Sequence, residues 1–343
     1  MLEEIRQQPA VLARTLAAEA RHIEKFKNAI AARRPKLIVL AARGTSDNAA
    51  QFGRYLLEIT TGIPVSLAAP SIYTLYNVAV DFRDALVIGI SQSGESTDTN
   101  LVIERARAQG ALTIGITNEA ASAMAGLADE IFLVRARKEK SVAATKTYTG
   151  QVLVLYLLAY ALGAEIGLED LRRLPDWAES ALGLEAGIDE LSGRYRLMEH
   201  AVVVGRGLNY ANAFEFALKM METCYVVAER FSSADFLHGP IAMLGPSFPV
   251  FLFAPSGVTA PSMRQMLDKL RSLKAETVVI TDAANREIGD AATRSIRLSK
   301  KLQELYTPIP YIIPAQLFAA CLAAQKGLDA DRPRTLTKVT RTL

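Results

Sequence analysis

The chain has 343 residues, half of them hydrophobic, enough for two domains with cores of ordinary size. Its 39 basic and 36 acidic side chains leave a net charge of +3 without any dense Lys/Arg block, which argues against nucleic acid or another polyanion as partner and leaves room for one small phosphate ester. Two cysteines without CxxC spacing and three scattered histidines (His22, His200, His238) predict neither a disulfide framework nor a metal site.

Residues 1–34 are charged throughout and lack the apolar stretch of a signal peptide, so a soluble, cytoplasmic protein is expected. Their apolar positions Ile5, Val11, Leu12, Leu16 and Ile23 predict N-terminal helices. KLIVLAA then predicts a strand running into ARGTSDNAA, where Ser46 or Asp47 is placed to cap the next helix. ALVIGI (85–90), ALTIGITN (111–118) and EIFLV (130–134) predict further strands, separated by helical segments. Strands so continuously apolar belong to a parallel sheet covered on both faces. VLVLYLLAYALG, from Val152 to Gly163, is shorter than the roughly 18 residues of a membrane span and reads as a buried helix, so no membrane partner is expected.

The second half repeats this order. AVVVGRG (201–207) mirrors LIVLAARG (37–44), and FPVFLFAPSG (248–257) mirrors ALVIGISQSG (85–94). TVVITD (277–282) mirrors LTIGITN, and SIRLS (295–299) mirrors EIFLV. Gly207 follows Gly44, and Gly257 follows Gly94, at the same offset of 163 positions. The expected fold is therefore α/β, with two tandem doubly wound parallel-sheet lobes. Residues 1–34 form N-terminal helices, 35–163 the first lobe, 164–199 a helical connector with Pro175 and Trp177, and 200–343 the second lobe with a C-terminal tail.

Ligands of open parallel sheets bind at the carboxyl ends of strands, where both ARGTS and ISQSGES fall. In SQSGES, Gly94 permits close backbone approach, a helix N-terminus follows, and Ser91, Gln92, Ser93 and Ser96 can donate to phosphate oxygens. Capping alone is the competing reading. The second copy, APSGVTAPS, keeps the glycine and loses much of the hydroxyl set, so the first lobe is the expected phosphate holder. Gly44, Thr45 and Ser46 add donors, and VAATKTYTG (142–150) is a third hydroxyl-rich helix entry whose Lys146 reads equally as an ion-pair partner. In FEFALKMMETC, Glu215, Lys219 and Glu222 fall on one narrow stripe, which in isolation reads as a solvated face. His238, before a Gly-Pro turn, is a candidate acid–base group on a loop. Lys338 is either a solvated tail residue or an amine folded over a site.

Together GTS (44–46), SQSGES-DT (91–99), VAATK (142–146), ALKMMET (217–223), LHGP (237–240) and DRPRTLTKVT (331–340) resemble the sugar isomerase (SIS) domain family, whose lobes are flavodoxin-like. They are most similar to the isomerase half of glutamine–fructose-6-phosphate aminotransferases and to stand-alone glucosamine-6-phosphate deaminases of the non-classical type. The resemblance implies that Ser46, Ser91, Gln92, Ser93 and Ser96 bind the sugar phosphate and that Thr45 and Val142 line the sugar. It implies Glu222 as the base moving a proton between C1 and C2, and Lys219 near the reacting hydroxyls. It further implies His238 as the ring-opening histidine, reaching in from the neighbouring subunit of a homodimer with shared sites, and Lys338 as the Schiff-base lysine. No cofactor is implied.

The sequence departs from the aminotransferase pattern at Arg43, where that family has cysteine, making Arg43 a candidate substrate contact. Ala144 replaces a serine, and Ala234-Asp235 replace a glycine–glutamate pair. Position 2 is leucine, and the lobes and helices use the whole chain, so no glutaminase domain is expected. The expected reaction is deamination and isomerisation of an amino-sugar phosphate, glucosamine 6-phosphate first among substrates. The alternatives are an isomerase or deglycase for another keto- or amino-sugar phosphate, an isomerase-type transferase without a glutaminase domain, or a non-catalytic sugar-phosphate sensor.

Overall fold

The computed structural model describes residues 1–31, 33 and 35–338; Ala32, Arg34 and the end of the tail motif, Val339 and Thr340, lie outside the described residues. The chain divides into two compact units. Residues 10–139, 146–173 and 337–338 form the first, and residues 1–9, 140–145 and 174–336 the second.

Each unit is built on one five-stranded parallel sheet. In the first, β1 (Leu37–Ala42), β2 (Val65–Leu67), β3 (Ala85–Ile90), β4 (Leu112–Thr117) and β5 (Glu130–Leu133) lie in the order β2-β1-β3-β4-β5. In the second, β6 (His200–Gly205), β7 (Val227–Ser232), β8 (Pro249–Phe253), β9 (Glu276–Asp282) and β10 (Arg294–Leu298) lie in the order β7-β6-β8-β9-β10. The two orders are the same, and in each the winding reverses beside the first strand, the place where open α/β sheets take ligands. β3 is buried along its whole length, as two-sided coverage by helices demands.

The duplication reaches individual hydrogen bonds. In the first unit the Thr113 amide and hydroxyl donate to Asp129 Oδ2, at 3.0 and 2.8 Å, and the Asp129 amide donates to Thr113 Oγ1 at 3.0 Å. The equivalent positions, 164 residues on, are Thr277 and Thr293, whose amides donate reciprocally to each other's hydroxyls at 3.2 and 2.9 Å.

The edge strands β2 and β7 were not foreseen; β7, VAERFS, carries charge because an edge strand is only half covered. One local expectation needs correction. The helix after β1 starts at Thr45, with Gly44 at its cap, so Ser46 and Asp47 lie in its first turn. The last helix of the second unit runs from Pro308 to Gln325. That helix is long and apolar enough to cross a membrane, but 89% of it is buried inside the protein. It packs against the Leu174–Leu182, Glu185–Gly193 and Tyr210–Cys224 helices, and Phe318 meets Phe216 and Phe251 edge-on.

Candidate active site

In the first unit the residues following β1 and β3 come together because those strands pair in register, Ala42 opposite Ile90. Gly94 (φ +66°) turns the chain between β3 and the Thr97–Ala108 helix. A Cβ at Gly94 would stand 2.2 Å from Ser122 Oγ and 2.4 Å from Ser122 Cβ. The Gly94 carbonyl is tied down by the Asn100 side chain and the Met124 amide, both at 3.0 Å, and the Gln92 carbonyl by the Asn118 amide at 3.0 Å. The turn thus satisfies its carbonyls inward. Gly94→Ala forces a left-handed φ and a clash together, and is expected to cost about 1–3 kcal/mol of stability. Urea denaturation checks this, and phosphate affinity should fall with it.

Four serine hydroxyls here share one property. Ser91 Oγ accepts from the Gly94 amide at 3.1 Å, Ser93 Oγ from the Glu95 amide at 3.2 Å, and Ser96 Oγ from Thr99 Oγ1 at 3.1 Å. Ser46 Oγ accepts from Gln151 Nε2 at 2.9 Å. Each oxygen is satisfied as an acceptor, and among the described residues each proton is left for an acceptor the chain does not supply. Hydroxyls so arranged can donate to an anion, and they lie beside the N-terminus of a twelve-residue helix. Arg43 is held away from a role as a free cation: its Nε and Nη2 donate to Asp98 Oδ2 at 3.0 and 2.8 Å, fastening the two loops to each other. Thr45, half-buried, opens the helix after β1.

Lys338 belongs to this unit. Its Nζ donates to Glu139 Oε2 at 3.3 Å, and the same buried carboxylate accepts from the Thr147 hydroxyl at 2.6 Å. Thr147 and Gln151 stand four residues apart on the Lys146–Ala161 helix, so the Glu139–Lys338 pair and Ser46 share one helix face. Lys146 is buried and donates to the Lys138 carbonyl at 2.9 Å. Glu139 escaped the sequence reading, since one acid in the run RKEKS resembles a solvated loop charge.

In the second unit, Lys219 on the Tyr210–Cys224 helix lies 2.6 Å from Glu222 and 3.4 Å from Glu215. The stripe is not solvated, as its isolated pattern suggested. Glu215 and Lys219 are fully buried, because this helix packs against β6, β7 and the Pro308–Gln325 helix, and Glu222 alone of the three is 23% exposed. Burial works against the Lys219 ammonium, but Glu215 and Glu222 outweigh it and hold its pKa above the ordinary lysine value. Lys219 is therefore a fixed cation near neutrality, and neither a base nor a nucleophile. His238 ends the Ser233–Leu237 helix, exposed, and its side chain has no hydrogen bond among the described residues. The Val142 amide donates to the Asp331 carbonyl at 3.2 Å. Within this unit Lys219 and Glu222 are brought together; among the described residues no hydrogen bond or ion pair joins His238 or Val142 to them.

A concavity of about 480 Å³ opens between Phe26, Arg33, Arg107 and Glu130. It lies at the amino ends of β4 and β5, where parallel sheets do not place their ligands, and contains none of these residues.

A family model described as the SIS domain matches residues 33–161 and again residues 196–326. The chain belongs to the SIS domain family. Each SIS copy spans one of the five-stranded sheets. The chain is 35% identical to the glutamine–fructose-6-phosphate aminotransferase (isomerizing) of Pyrococcus horikoshii, over 98% of this chain and 57% of that protein. It spans little more than half the length of the curated relatives it matches. Among solved structures, the C-terminal domain of glucosamine-fructose-6-phosphate aminotransferase from Francisella tularensis superposes with a TM-score of 0.86 at 28% identity, covering 97% of this SIS protein and 98% of that chain. The glucosamine-6-phosphate deaminase of Thermotoga maritima superposes with a TM-score of 0.72 over 97% of this chain and 100% of its own; at 20% identity that likeness is one of fold.

Proposed function

We propose that this SIS protein is an enzyme that deaminates and isomerises glucosamine 6-phosphate, giving fructose 6-phosphate and ammonia. The observation that carries the reading is the set of four acceptor-satisfied hydroxyls, Ser46, Ser91, Ser93 and Ser96, whose protons await an anion. With Gln92 they hold the phosphate, and Thr45 and Val142 flank the sugar. The region 35–163 is then the phosphate-binding domain, and 200–343 carries the acid–base groups.

His238, contributed by a second copy in a homodimer, assists ring opening. Glu222 takes the proton from C2 of the open-chain amino aldehyde and returns it to C1, while one amino proton passes to O1, leaving an imine at C2 and a hydroxyl at C1. The fixed Lys219 ammonium, 2.6 Å away, steadies the carboxylate and the developing negative charge. The Lys338 amine attacks C2 and expels ammonia, and water then hydrolyses the lysine imine to the ketose. An amine must be neutral to attack, so the Lys338 ammonium first gives a proton to water, and Glu139, 3.3 Å away, positions the side chain.

The test measures ammonia and fructose 6-phosphate together from glucosamine 6-phosphate, beside a panel of other keto- and amino-sugar phosphates. Equimolar release of both products supports the reading. Turnover of another sugar phosphate with none of glucosamine 6-phosphate assigns a different substrate to the same site. Binding without turnover of any panel member removes the enzymatic reading.

A further inference from the structure

The second lobe has the same strand-end turn as the first, and its interior is already occupied. Gly257 takes the place of Gly94, also with positive φ (+130°), and Thr259 takes the place of Ser96 as the residue capping the next helix, Ala260–Ser272. In the first lobe, among the described residues, the Ser96 oxygen only accepts. In the second, Thr259 spends both of its donors on one carboxylate of the chain itself. Its hydroxyl donates to Glu304 Oε1 at 2.7 Å and its amide to Glu304 Oε2 at 3.2 Å. Ser256, in the position of Ser93, likewise donates its hydroxyl to the Leu302 carbonyl at 3.3 Å.

The glycines report the same difference. A Cβ at Gly257 would stand 2.4 Å from Glu304 Oε2, so only glycine lets that carboxylate approach. Gly207, the copy of Gly44, shares its positive φ, +56° against +59°. A Cβ at Gly207 would meet Thr259 at 3.1 Å and Glu304 at 3.8 Å, whereas one at Gly44 meets nothing within 4 Å.

We propose that Glu304 is an internal counter-anion: its carboxylate fills the second lobe's copy of the phosphate cradle and so confines phosphate monoesters to the first lobe. This rests on the reading of the first lobe as the phosphate holder. A carboxylate, like a phosphate, presents acceptor-only oxygens to a helix N-terminus and to the hydroxyl of the residue at its cap position. The duplicated fold thus keeps two cradles, and Glu304 makes them unequal. The retained glycine of APSGVTAPS, unexplained when its hydroxyls are counted alone, serves this carboxylate.

Titration calorimetry with inorganic phosphate on wild type and Glu304→Ala is the test. One equivalent per chain in wild type and two in Glu304→Ala is the expected result. One in both overturns the role of Glu304. None in wild type and one in Glu304→Ala leaves that role standing and removes the first-lobe reading. Should Glu304→Ala fail to fold, Glu304→Gln, which keeps the shape and loses the charge, is compared with wild type by thermal melting in rising phosphate. A larger phosphate-dependent rise in Tm for Glu304→Gln supports the proposal, and an equal or smaller rise overturns it.

Discussion

Glu222→Gln is expected to lower the turnover of glucosamine 6-phosphate by about 10²-fold or more while the protein stays folded. The amide keeps an oxygen for the Lys219 ammonium, 2.6 Å away, and the side chain is partly exposed, so little packing or desolvation changes. What disappears is the ability to hold the C2 proton. In the proposed function the serine hydroxyls of the first lobe hold the phosphate, so the loss should fall on kcat and leave KM within about twofold, as for a group that acts on the transition state. Steady-state kinetics beside a melting curve separate the effects. A kcat within about threefold of wild type would place the base elsewhere, since general-base catalysis is worth far more than that. The same numbers apply to any other sugar phosphate the panel identifies, because the proton moves between adjacent carbons in each case.

The parts of the molecule written in continuous apolar runs are legible in the sequence. β1, β3 and β8 carry no polar side chain, and in β4, β6 and β9 the polar residues fall within two positions of the strand ends, so the apolar runs of the repeat are visible by eye. The edge strands are not, since one flank of β7 faces outward and tolerates Glu229 and Arg230. The hydroxyl density at the strand end is legible, but the direction of each hydroxyl is not. Only coordinates separate Ser96, which accepts and keeps its proton, from Thr259, which gives its proton away. Glu304 and Glu139 were missed for a related reason. Each is a single acid in a charged run, and its partner lies 45 residues away in one case and 199 in the other. The stripe of Glu215, Lys219 and Glu222 shows the limit of periodicity. Helical spacing gathers the three on one face, while burial of that face depends on elements distant in sequence, β6, β7 and the Pro308–Gln325 helix.

Lys219→Met should be the most destabilising single change in this region, at about 3–5 kcal/mol, because it leaves the fully buried Glu215 carboxylate without its cation. Glu222 can be hydrated in part; Glu215 cannot. Replacing both members, Glu215→Leu with Lys219→Met, removes the stranded charge, so the double variant should be more stable than the sum of the single effects by about 1–3 kcal/mol. Urea denaturation of the four proteins gives the cycle, and additivity would mean that the pair is not coupled. The pair also leaves a mark on the pH dependence. The folded pKa of Lys219 is raised above the unfolded value of 10.5. Its stabilisation is therefore fully present below pH 10.5 and is lost as the pH climbs through the folded value. Wild type should lose stability in that alkaline window beyond what Lys219→Met loses there, and parallel alkaline curves for the two would show that the buried ammonium contributes nothing. Since the same ammonium steadies the Glu222 carboxylate, activity in Lys219→Met should fall even under conditions where the variant remains folded, linking the stability of this helix to the proton transfer at its exposed end.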